Sequence, residues 1–366
     1  MQSDMHYYGV YCLARAAGIK KSSATIIAYA SQYIDDSVVR EITDHEDGSR
    51  VVAVATAHHA SDIKNIDHDD QRYIWVPFHF IPGGKGDSFT EKLLCRKDSP
   101  IAREMVQNNI AQNNEYILEL VGITAHVYAD TFAHYGFSGV SSRRNRVVGD
   151  SLQLLQSSSV VKSILGEKIS NWFKEYGSQG GLLKNIRSVM SGAAELATGA
   201  LGHGGVSIYP DQPYLKWQFE YEYPSGSVSK ISKRDNQKTF FEGCTKLYEM
   251  LRQFVESHPE HSDETTRINF DDISTLIKEI LAHEGDKFER ASLWCKHAKA
   301  GSLFGKKETV PVYDPSVWHK QHEEFSKLTN PSEFAKFNIY KFFQAASYHK
   351  HYVLRELLTK YGIIVI

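Results

Sequence analysis

Residues Gly122 to Gly136 read GITAHVYADTFAHYG, and the rest of the chain is read outward from them. The stretch spaces His126, Asp130 and His134 four residues apart in an otherwise apolar, small-residue run. Four residues carry an α-helix slightly more than one turn, so the three side chains share one face. Two imidazoles and a carboxylate on one stripe form half of a metal site. The competing reading is a pair of packed core histidines with Asp130 in a salt bridge. Small neighbours argue that the helix is buried, and burying a lone carboxylate is costly unless it is paired or metal-bound.

With 366 residues the chain can build one large domain or two ordinary ones, each with a substantial core. Its net charge of −2 and pI near 6.8 give no global pull toward nucleic acid or a membrane surface. Cys12, Cys95, Cys244 and Cys295 are widely spread and form no C-x-x-C pair, which suits a reducing compartment. Asp4 and His6 interrupt any signal-peptide pattern, and no run has the length of a membrane helix. The expectation is a soluble, cytoplasmic protein without stable membrane insertion.

In chain order, residues 5–17 read as a buried helix ended by Gly18, and a second helix covers about 24–34 before Asp35-Asp36. Two β-branched runs, 38–43 and 51–56, flank HEDGSR and predict a small inserted hairpin with Asp47-Gly48 at its tip. Ser99-Pro100 opens a helical stretch that runs, with a break near Asn113-Asn114, to Tyr135. Residues 151–200 read as two or three helices, and further helices are expected near 234–257, 270–281, 286–298, 316–327 and 332–358. The fold class expected is mainly α, a multi-helix bundle, with a helical core over 1–240 and C-terminal helices over 241–366 packing on it.

Other candidate ligands lie on separate elements. Asp4 and His6 sit where the first apolar helix must dock. Asp35 and Asp36 place negative charge at the unfavourable end of a helix dipole, so a metal or an arginine should compensate. His58 follows the second hairpin strand, and His79 lies between Phe78 and Phe80, where a buried imidazole needs a polar partner. His203 and Asp211 occupy the Gly-rich loop GHGGVSIYPD. Arg143 and Arg144, just after the central helix, could receive a phosphate or form a solvated basic turn. His319, His322, His349 and His351 lie on polar helical patterns and read as surface residues. His68-Asp69 is formally an HD dipeptide, but it sits in a polar loop; no P-loop or G-x-S-x-G is present.

The order His6, Asp35/Asp36, His58, His126-x-x-x-Asp130, His134 resembles the zinc-dependent phospholipase C and single-strand-specific zinc nuclease superfamily. That resemblance implies an all-helical fold with three zinc ions held by an N-terminal amine and a series of His and Asp ligands. Two departures stand out: the spacing from Asp130 to His134 is shorter than in those enzymes, and no second His-x-x-x-acid helix follows. Asp4 would stand in for the amine, and His203 with Asp211 for the missing pair. The blocks DMHYYGVYCLARAAG, IAYASQYIDD, VPFHFIPG, HVYADTFAHYGFSG and GHGGVSIYPDQPYLKW, over roughly residues 1–240, are also similar to an uncharacterised, mainly bacterial domain family.

The expectation is therefore a metal-dependent hydrolase, a phosphoesterase with two or three ions, zinc first and Mn or Fe as alternatives. Asp130 would bridge ions and serve with Arg143 or Arg144 in catalysis, and His6, His58, His79, His126 and His134 would be terminal ligands. The substrate would be a phosphorylated small molecule, a lipid headgroup or a nucleotide. Rival expectations are a non-catalytic protein with a closed structural metal site, a metal-free helical module, and an HD-like phosphohydrolase acting on nucleotides.

Overall fold

The central helix spans Ile117–His134, and all its residues except Leu118 are buried. A helix shielded on every side belongs in a core, and Lys21–Asp36, Pro100–Ile110, Asn236–Ser257 and Asn338–His351 pack around it. The computed structural model describes residues 1–44, 48–58, 67–148, 151–156, 158, 206, 208–224, 229–325, 327–328 and 331–365. Among them one core cluster runs from Met1 to Val365, joining N-terminal and C-terminal helices.

Gly122 sets how closely the central helix meets Lys21–Asp36. A Cβ at Gly122 would stand 2.4 Å from the Ile27 carbonyl oxygen and 2.7 Å from Ala30 Cβ. Gly122 lies one turn before His126 on the same stripe. The bare backbone thus brings the second helix against the face that carries the histidines.

The first helix begins with widened π turns over Asp4–Gly9, continues as Val10–Ala16, and ends at Gly18 with φ +88°. The expected hairpin is present as Ile42–Asp44 antiparallel to Arg50–Val52, with Ile42 opposite Val52. It is shorter than its β-branched runs. Beyond Val52 the chain bonds to the end of the second helix instead: Thr56 N–H donates to Ser37 O at 2.8 Å and Thr56 Oγ1 to Ile34 O at 2.7 Å. His68–Phe78 is helical, with a π turn at Gln71–Trp75, where the sequence suggested a loop and an apolar run.

A second, three-stranded antiparallel sheet has the order Gln153–Gln156, Lys216–Glu220, Ile231–Asp235. Gln153–Gln156 corrects the expectation of helix there, because its backbone pairs with a strand some sixty residues away. From Ser159 to residue 200 the stretch lies outside the described residues. The middle strand buries Trp217 and Phe219, alternating with Gln218, which is the period of a half-buried strand. The following helix is capped by Asp235, whose side chain accepts from Lys238 N–H. Later helices run Phe270–Ala282, Lys287–Ala300, Ser316–Phe325 and Asn338–His351, close to the expected bounds. No helix among the described residues is long and apolar enough to cross a membrane.

His349 is fully buried rather than on the surface. Its Nε2–H donates to Pro77 O at 2.9 Å, and Nδ1 accepts from Asn109 Nδ2 at 3.1 Å. Helix Asn338–His351 thereby props the segment that presents His79.

Two outcomes follow from this packing. Gly122→Ala should destabilise the fold by about 1–3 kcal/mol in chemical denaturation, because a backbone carbonyl cannot rotate away from the new methyl. Burial pushes His349 down to about 4, so its neutral form is the folded one. Its contribution is complete above the unfolded value near 6.5 and is lost as pH falls toward 4. Stability measured across that window should decline less steeply in His349→Asn.

Candidate metal centre

Asp130 is the point on which the other groups converge. It is 1% exposed, and its Oδ1 lies 2.8 Å from the α-amine of Met1 and 3.2 Å from His6 Nε2. Its Oδ2 lies 3.3 Å from His126 Nε2, 3.3 Å from His79 Nδ1 and 3.5 Å from His134 Nδ1. Asp35 Oδ1 stands 3.8 Å from His126 Nε2 and 3.9 Å from His79 Nδ1. On the other side, Asp211 Oδ1 lies 3.2 Å from the Met1 amine and 3.5 Å from His134 Nε2. His6 stacks on His126 with ring centroids 3.8 Å apart.

Backbone carbonyls decide which imidazole nitrogen carries the proton. His126 Nδ1–H donates to Ser31 O at 2.8 Å, His79 Nε2–H to Thr56 O at 3.0 Å, and His134 Nδ1–H to His79 O at 3.0 Å. A carbonyl can only accept, so the neutral rings point His126 Nε2 and His79 Nδ1 inward as lone pairs. Those two nitrogens face each other at 3.2 Å, with Asp130 Oδ2 beside both. Atoms that can only accept do not gather this way without a cation or a proton among them. Burial lowers His79 below its ordinary range despite the Asp130 carboxylate, and burial with the His126 and Met1 charges lowers His6 well below its own. A proton is thus disfavoured on His79 and His6, and the group is positioned to bind a metal.

The spacing fits one. Ligand atoms of a tetrahedral zinc, each ~2.0–2.1 Å from the ion, stand about 3.3 Å apart. Among the described residues His79–His126–Asp130 meets that pattern at 3.2 to 3.3 Å, and His6–Asp35–His126 forms a wider group with Asp35 Oδ1 3.8 Å from His126 Nε2. Neither nitrogen of His6 makes a hydrogen bond although the ring is fully buried and Nε2 stands 3.2 Å from Asp130 Oδ1, a donor set that fits a metal ligand. Desolvation alone would raise Asp130, but its interactions with His134, the Met1 ammonium, His126 and His6 hold it well below the carboxylate range. The Met1 amine is opposed by burial and raised by Asp130, Asp211 and Asp35 to about 11. As an ammonium it pairs with the Asp130 and Asp211 carboxylates.

The structure sorts the sequence candidates. His6, Asp35, His79, His126, Asp130, His134 and Asp211 come together. Asp4 does not: its Oδ2 pairs with Arg290 Nε at 2.5 Å, and the amine it was expected to replace is itself at the centre. Asp36 turns away and accepts from Tyr313 Oη at 2.6 Å, because adjacent helical residues point about 100° apart. His58 Nε2 lies 3.0 Å from Asp70 Oδ2, and Asp70 Oδ1 in turn takes Arg40 at 2.6 Å. Arg143 is exposed and lies over the Tyr223 ring, while Arg144 donates to Pro224 O at 2.9 Å. The basic turn therefore serves the Tyr223–Pro224 loop, not the centre. His203 lies outside the described residues.

Supports that no local pattern announced hold these ligands. Asn236 Nδ2 donates to Tyr209 O and Gln212 O, fixing the turn Tyr209–Asp211 that presents Asp211. Arg234 Nη2 donates to Tyr135 O at 2.5 Å and its guanidinium lies 3.7 Å from the Tyr135 ring, capping the central helix with a buried cation. Arg290 grips Asp4, Gln2 Oε1 at 3.0 Å and Gly285 O at 2.6 Å, and so pins the residues that follow Met1.

These features define a mainly helical protein with a buried His/Asp centre positioned to bind metal. The chain belongs to a family of unknown function, DUF6765, whose profile matches residues 1–357. No match was found among the curated proteins or among the solved structures.

Arg290→Met leaves the Asp4 carboxylate buried without its counter-charge and should cost about 3–5 kcal/mol in denaturant unfolding. Adding Asp4→Leu to that variant should recover much of the loss, which a double-mutant cycle would measure.

Proposed function

We propose that the protein is a metal-dependent phosphoesterase built on a zinc-type centre of two or three ions. The observation that carries the reading is the convergence of the His79 and His126 lone pairs on Asp130, with both rings locked from behind by backbone carbonyls. His79, His126, Asp35 and Asp130 Oδ2 would hold one ion. His6, the Met1 amine and Asp130 Oδ1, with His134 and Asp211 alongside, would hold the rest, Asp130 serving as bridge. When bound, such ions lower the pKa of a water molecule toward neutrality and stabilise charge on the attacking and leaving oxygens of a phosphate ester.

The ligand order and the amine beside Asp130 support a likeness to the zinc-dependent phospholipase C group in site design, and we extend that likeness to the fold. Asp35, at 32% side-chain exposure, is the most open member of the centre and marks the side from which substrate would enter. Free thiols at Cys12, Cys95, Cys244 and Cys295 fit a reducing, cytoplasmic setting. A second reading, a closed structural metal site, is favoured by the complete burial of His6 and His126.

Protein purified without added metal should carry at least about one equivalent of Zn, Mn or Fe by elemental analysis. A metal-free preparation would sink both readings. Wild type should hydrolyse bis(p-nitrophenyl) phosphate, and His126→Ala, still folded by circular dichroism, should fall to background. Metal-loaded wild type without turnover, together with unfolding of His126→Ala, would favour the structural site.

A further inference from the structure

The hairpin and helix Asn338–His351 line an open cleft of about 810 Å³ that shares no residue with the metal centre. That volume lies within the ~300–1,000 Å³ of small-ligand sites. Arg40 and Arg50 reach it from the two arms of the hairpin, and Lys350 from the helix. Tyr116, Phe343 and Tyr348 supply flat apolar wall, with Tyr116 and Tyr348 centroids 6.3 Å apart.

The cations are not equivalent. Asp70 holds Arg40 at 2.6 Å and Asp44 holds Arg50 at 2.5 Å, which orients both guanidinium groups. Lys350 has no carboxylate within ion-pair distance among the described residues. Burial and the neighbouring Arg40 hold its ammonium below the usual range, with Asp70 opposing. Glu41, an exposed residue, is the acid in this wall. With Asp70 and Asp44 on the two arginines, Lys350 is left as the cation without a carboxylate partner beside aromatic faces, a combination suited to an anion attached to a flat ring. Inorganic phosphate would leave the aromatic wall unused, and an apolar ligand would leave Lys350 uncompensated.

We propose that this cleft binds a nucleoside phosphate, its phosphate against Lys350 and Arg50 and its base against Tyr348 and Phe343. The site is separate from the metal centre and does not depend on the activity proposed there.

Calorimetric titration of the full chain with adenosine 5′-monophosphate tests it. Wild type should bind saturably, and adenosine or inorganic phosphate alone should bind at least about tenfold more weakly. Lys350→Glu should weaken binding at least about tenfold, as should Arg50→Glu, which lies on the exposed hairpin and leaves the helices untouched. His126→Ala and chelator-treated wild type should keep the wild-type affinity within about twofold. The proposal is overturned if no saturable binding is seen, if adenosine binds as well as the nucleotide, or if binding survives both charge reversals. It is equally overturned if chelation alone abolishes binding, which would move the ligand to the metal centre.

Discussion

A carboxylate buried in the middle of a helix is the constraint on which this structure depends. Asp130 has lost its water, and an isolated charge in such a place would cost several kcal/mol. The protein answers with positive and polarisable groups from every direction: the Met1 amine, His6 from the first helix, His79 from the segment after the hairpin, and His126 and His134 from the same stripe. Each of those groups is in turn held by something remote. The second helix lends the Ser31 carbonyl to His126, and the chain after the hairpin lends the Thr56 carbonyl to His79.

The arrangement also explains why the C-terminal helices belong to the same core. Arg290 fixes the N-terminal residues through Asp4 and Gln2, Tyr313 draws Asp36 away from the centre, and His349 supports Pro77 two residues before His79. Removing those helices would leave the ligands present in the chain but unplaced. The three-stranded sheet has the same standing, since Asn236 at its edge holds the turn of Asp211 and Arg234 caps the helix of His134.

Much of the helical architecture could be read in advance because its signals are local. Ser99-Pro100 starts a helix whose cap is the Ser99 side chain, Asp286 and Glu289 form a capping box, and Gly18 ends the first helix at positive φ. The second sheet was harder. Trp217 and Phe219 alternate with polar neighbours as a strand should, but Gln153–Gln156 becomes a strand only by pairing with Lys216–Glu220. His349 was misjudged because Lys350 and His351 made its surroundings look polar, while its own face of the helix turns inward.

By itself the sequence determined that His126, Asp130 and His134 form one stripe, since helical periodicity is a property of the backbone alone. It also determined that Gly122 precedes them on that stripe, and that His6, Asp35 and His79 were available. Only the tertiary structure decided between Asp35 and Asp36, set His58 on Asp70, gave Asp4 to Arg290 and put the Met1 amine on Asp130. Those choices depend on which surfaces meet across the core. Separation along the chain carries no record of that, because burial and hydrogen-bond satisfaction are settled only when the elements pack together.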